Sequence, residues 1–63
     1  MAVGGVYRLF LTDADGRQVT DPLPAVDLAD AIRLSALVFH SDPGIVRLIL
    51  SDLRGDERHT LDR

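Results

Sequence analysis

The sequence predicts an α+β domain of ββαββ order, a four-stranded antiparallel sheet in the order 2-1-3-4 with one helix on one face. Three observations carry that expectation: a length of 63 residues, a ten-residue pattern that occurs twice, and one amphipathic stretch between the two copies. A chain this short holds a single domain with a thin core, so 1–63 is read as one unit.

The repeat sets Tyr7-Arg8-Leu9-Phe10-Leu11-Thr12-Asp13-Ala14-Asp15-Gly16 against Val46-Arg47-Leu48-Ile49-Leu50-Ser51-Asp52-Leu53-Arg54-Gly55. Each copy runs apolar, Arg, Leu, apolar, Leu, hydroxyl, Asp, and ends three residues later in Gly. Asp accepts hydrogen bonds from a turn backbone, and Gly takes the left-handed conformation that closes a hairpin with a bulge. Both copies therefore predict β-hairpins, over 5–21 and 45–62, with short polar return strands at Arg17 to Thr20 and Glu57 to Leu61. The lead-in Gly4-Gly5 precedes a strand instead of opening a helix, so it is no phosphate cradle.

Between the hairpins, Asp21-Pro22-Leu23-Pro24 and Asp42-Pro43-Gly44 are expected to break the chain. A helix over 27–41 fills the gap, with Asp27 as N-cap, Asp30 in the favourable first turn and His40 at the negative end of the dipole. Stepping about 100° per residue gathers Leu28, Ala31, Ile32, Ser35, Val38 and Phe39 on one face, to pack on the sheet. Leu34 sits at the boundary of that face and Leu37 falls on the polar side.

The two apolar strands take the centre and the two polar strands the edges, which yields the order 2-1-3-4 with the second and third strands parallel across one intervening strand. An approximate two-fold axis then lies between strands 1 and 3. Strict alternation puts Tyr7, Leu9, Leu11, Val46, Leu48 and Leu50 on one side of the sheet, and Val6, Arg8, Phe10, Ile45, Arg47 and Ile49 on the other. One helix covers one face, so the second set lacks a layer.

With this order of elements the chain resembles small bacterial ββαββ proteins of unknown function, built as Asp/Gly hairpin, capped helix and second Asp/Gly hairpin. The residues that carry the resemblance are Tyr7, Asp13, Gly16, Asp21, Asp27-Leu28-Ala29-Asp30-Ala31, Asp52 and Gly55. It implies the fold and brings no activity with it.

Composition narrows the function classes. Net charge is −3 with a pI near 5.0, no reason to seek nucleic acid or an anionic membrane. All cations are Arg, and the ten acids include a single glutamate, Glu57. Cysteine is absent, so disulfides and thiolate metal sites are excluded. The opening Met1-Ala2-Val3-Gly4-Gly5 is not read as a signal peptide and no apolar run reaches membrane-spanning length, so a cytoplasmic protein is expected.

No catalytic, metal or cofactor site is predicted. Asp13-Ala14-Asp15-Gly16 opens like a calcium loop, which places Gly sixth and closes on Glu at the twelfth position; both are missing here. His40 and His59 are not spaced to serve Ser35, Ser41 or Ser51 through an orienting carboxylate, and two histidines fall short of a zinc site. The uncovered face is the remaining candidate. Val6, Arg8, Phe10, Ile45, Arg47 and Ile49 are expected to form an interface, with Leu34 and Leu37 as a second patch. A homodimer is the simplest occupant; another protein, bound by a small inhibitor or regulator, would use the same surface. The alternative is a platform for single-stranded nucleic acid built on Arg8, Phe10 and Arg47. It is disfavoured by one aromatic where two or three are expected and by the negative charge.

Overall fold

In a computed structural model, residues 6–63 are described; the expectations for Met1 to Gly5, including the start of the first hairpin at residue 5, lie outside them. Strands β1 (Val6–Asp13) and β2 (Gln18–Pro24) precede helix α1 (Leu28–Ser41), and strands β3 (Ile45–Ser51) and β4 (Glu57–Asp62) follow. They form one four-stranded antiparallel sheet ordered β2-β1-β3-β4, as the sequence predicts. The β1–β3 ladder is close to palindromic. Leu9 pairs with Leu50 and Leu11 with Leu48 around a central Phe10–Ile49 pair, so the two-fold axis of the repeat passes through that pair.

The two turns match atom for atom. Asp13 Oδ1 accepts from the amides of Asp15 and Arg17, both at 2.9 Å. Asp52 Oδ1 accepts from those of Arg54 and Asp56, at 2.9 and 3.0 Å. Gly16 and Gly55 donate to the carbonyls of Asp13 and Asp52, and they alone among the described residues have positive φ, 85° and 88°. The turn chemistry deduced from Asp at the first position and Gly at the fourth is the chemistry found.

Asp21-Pro22-Leu23-Pro24, expected to interrupt the chain, instead continues β2 to Pro24. The Arg17 carbonyl accepts from Asp13, so odd-numbered residues of β2 turn their backbone groups toward β1 and even-numbered ones face outward. Pro22 and Pro24 fall on the outward positions of an edge strand, where a missing N–H costs no ladder bond.

Helix α1 begins after Asp27, whose Oδ1 accepts from the Asp30 amide at 2.8 Å. Asp30 Oδ2 in turn accepts from the Val26 amide at 3.3 Å, a reciprocal cap that satisfies two donors at the helix start. Ala31, Ser35 and Phe39 are the buried stripe, packed with Leu9, Ala25, Ile45, Leu48 and Leu50. Ser35 is tolerated there because its hydroxyl donates to the Ile32 carbonyl at 2.8 Å. The helix lies over β3 and β4, which leaves Val19 of β2 55% exposed on the same side of the sheet.

Two further expectations are corrected. Leu34, assigned to a second surface patch, packs against the core and leaves Leu37 exposed without it. Ile45, assigned to the uncovered face, is 7% exposed inside the core cluster. The register shift at Thr12/Asp13 is the reason: Thr12 pairs with Arg47 and Asp13 with Ile45, so Val46 is an extra residue and the alternation reverses there. Ile45 turns to the helix, and Val46 joins the opposite side, beside Phe10 and Ile49.

Candidate interaction surface

Directly paired residues of an antiparallel sheet share a face, so the ladder registers define the side away from the helix row by row. Thr20, Phe10, Ile49 and Thr60 make the central row across β2, β1, β3 and β4. Gln18, Thr12, Arg47 and Asp62 make the row on one side of it, and Pro22, Arg8, Ser51 and Glu57 the row on the other. Val6 lies beyond the Arg8 row at one end of the face, and Val46 beyond the Arg47 row at the other.

Val6 and Phe10 are 38% and 37% exposed, and Ile49 is half-buried among its cross-strand neighbours. The apolar centre is thus Phe10 and Ile49, flanked by polar rows, with Val46 lining the same depression and Val6 set apart beyond Arg8. That depression, shallow and of about 400 Å³, is lined by Phe10, Thr12, Gln18, Val46, Arg47, Ile49, Asp62 and Arg63.

The charges of this face sit in a definite pattern. Arg47 Nε donates to Asp62 Oδ1 at 2.7 Å, and that hydrogen bond holds the guanidinium pKa above its ordinary value. Glu57 Oε2 accepts from the Thr60 hydroxyl at 2.7 Å. Both acids are therefore on the β4 edge, while Arg8 and Arg47 occupy the two central strands.

Strand edges are the other route to self-association, and both are blunted. Pro22 and Pro24 remove outward donors from β2. On β4 a register shift between Leu50 and Ser51 leaves Arg58 unpaired as a bulged residue, and Arg58 reaches back to Asp52 at 3.5 Å. The regular outer edge of β4 is reduced to a few residues.

Of the residues expected at the interface, Val6, Arg8, Phe10, Arg47 and Ile49 share this face, Ile45 is in the core, and Leu37 stands 58% exposed on the far side of the helix. Sequence reasoning missed Val46, hidden by the bulge, and Thr20, Thr60, Asp62 and Glu57, whose face follows from their cross-strand partners alone. It also missed Arg63. That guanidinium donates to the carbonyls of Phe39, Asp42 and Ile45 and lies 4.4 Å from the Phe39 ring centre, tying the end of the helix to β3.

The serines do not meet a histidine: Ser35, Ser41 and Ser51 donate to the carbonyls of Ile32, Val38 and Asp52. Among the described residues, no group of three His, Asp or Glu side chains is placed to hold a metal ion, and no helix is long and apolar enough to cross a membrane. Comparison with protein-family models, with curated proteins and with solved structures found no match.

Proposed function

We propose that this chain is a non-enzymatic protein–protein interaction module that pairs with a second copy through the helix-free face of its sheet, in the manner of a small regulator or inhibitor. The observation that carries the reading is the apolar group of Phe10, Ile49 and Val46 on the two central strands of a face that no second layer covers among the described residues. With both edges blunted, this face is the part of the sheet left open to association.

Its size bounds the strength. Four strands at about 4.8 Å spacing, by about seven residues at about 3.3 Å, cover about 440 Å² per chain, near half of the roughly 800 Å² per partner of a standard interface. A footprint of that size belongs to the class of weak, reversible association. A nucleic-acid platform has less support, because Arg47 is already engaged by Asp62 and the row around Phe10 is Thr20, Ile49 and Thr60, with no second ring to stack.

The test is molecular mass in solution across a concentration series, for the wild type and for Phe10→Glu. The expected result is a wild type that moves from monomer to dimer and a folded Phe10→Glu that stays monomeric at every concentration. A wild type that remains monomeric at millimolar concentration would overturn the reading.

A further inference from the structure

The repeat relates two halves of the sheet, but the helix lies over only one of them. The two-fold axis through the Phe10–Ile49 pair exchanges β1 with β3 and β2 with β4. It matches Val19, the partner of Leu11, with Leu61, the partner of Leu48. Leu61 packs against the core on the helix side, whereas Val19 is 55% exposed. Among the described residues no helix covers the equivalent strip along β2.

The dimensions of that strip suit one helix. Four strands at about 4.8 Å spacing make a sheet about 19 Å wide, and a helix with its side chains is about 10 Å across, so two helices fit side by side on one face. The chemistry of the strip is equally definite. The residues of β2 on this side are Val19, Asp21 and Leu23, paired with Leu11, Leu9 and Tyr7. Between the first turn and the end of α1, a groove of about 280 Å³ has an apolar lining of Leu11, Val19 and Ile45 and a charged lining of Asp13, Arg17 and Asp42. Asp21 stands exposed next along β2. Three carboxylates against one guanidinium thus surround an apolar floor, and the occupant that complements both is apolar on one side and cationic on the other.

We infer that this strip is a docking site for a basic amphipathic helix of another protein, its apolar stripe on Leu11, Val19 and Leu23 and its cationic side chains toward Asp13, Asp21 and Asp42. The two-fold axis sets the direction. Helix α1 starts at the end of the sheet that carries the second turn, so its image starts beside the first turn and runs antiparallel to α1. The positive pole at the amino end of the docked helix then meets Asp13 and Asp42. Helix α1 of a second copy does not match the strip: on it Leu37 is the exposed large apolar residue, and Arg33 is already paired with Asp30. The site lies on the opposite side of the sheet from Phe10 and is independent of self-association there.

The probe is a synthetic peptide of 14 residues, the length of α1, with Leu at helical spacing along one side and Lys on the other. Two control peptides carry Glu in place of Lys, or the same Leu and Lys content with the stripe scrambled. Each is titrated into the isotopically labelled chain, and backbone amide signals are followed by nuclear magnetic resonance. The striped Lys peptide is expected to move the signals of Leu11, Val19 and Asp21, and neither control to do so. Asp21→Asn and Val19→Ser, both at exposed positions of an edge strand, should each weaken binding, the first by roughly two- to fivefold at low salt. Phe10→Glu should retain it, which separates this site from the opposite face. Signals that stay fixed, that move instead around Phe10 and Ile49, or that respond equally to a control peptide would overturn the inference, as would undiminished binding by both β2 variants.

Discussion

Asp13 and Asp52 each hold two amides and the following glycine of a five-residue turn, so one carboxylate organises the end of a hairpin. The glycines contribute backbone freedom only. A Cβ built at Gly55 would meet nothing within 4 Å, so the whole penalty of a side chain there comes from its φ of 88°. Gly55→Ala is expected to destabilise the chain by about 1 kcal/mol, with Gly55→Asn costing less because Asn tolerates the left-handed region. Urea unfolding of the three forms measures the difference, and equal midpoints would show that the turn relaxes out of that conformation. At the same scale, Ser35 shows that a polar residue on a buried stripe need not be functional, since the helix's own carbonyl satisfies its hydroxyl.

Among the elements, the helix is fastened at both ends by side chains. At its start Asp30 accepts from Arg33 at 2.6 Å and from the Val26 amide, and these bonds hold its carboxyl below the usual carboxylate range. A carboxyl whose folded pKa is depressed adds stability above its unfolded pKa and loses it as the pH falls through the folded value. The margin by which wild type exceeds Asp30→Asn should thus be largest near neutral pH and shrink as the pH falls below the ordinary carboxylate value of about 4. Chemical unfolding at several pH values reads that margin, and a constant difference across the range would count against the assignment. At its end the helix is held by Arg63, which arrives from β4 and donates to the Phe39 carbonyl of the last turn and to that of Asp42 just beyond it. The strands differ by position: Leu48 and Leu50 of β3 are fully buried at the centre, whereas edge β2 accommodates two prolines.

For the whole molecule, one helix set over β3 and β4 covers only part of one side of the sheet, and among the described residues nothing covers the apolar centre of the other side. Association that binds the folded state alone stabilises it by mass action. The thermal midpoint of the wild type is therefore expected to rise with protein concentration, and that of Phe10→Glu to be independent of it. Calorimetry over a hundredfold range of concentration, roughly 10 µM to 1 mM, separates the two, because a gain of about 2.7 kcal/mol accompanies each hundredfold excess over a dissociation constant. Coincident midpoints for the wild type would indicate that the face stays unoccupied.

What could be read from the sequence was whatever local chemistry dictates. The Asp/Gly turns, the Asp27 cap, the helix stripe and the order 2-1-3-4 depend on residues within one turn, or on which strands are apolar enough for the centre. Five of the six residues expected on the open face follow from alternation alone. Ile45 did not, because the extra residue Val46 reverses the alternation and only pairing with β1 reveals it. Nor did the strand that runs through Pro22 and Pro24, since their tolerance depends on which backbone groups point toward β1. The place of the helix over β3 and β4, the Arg63 clasp and the two acids on one edge were likewise decided by tertiary structure. The physical reason is common to all of them: they arise from contacts between residues distant in the chain, and such contacts leave no period in it.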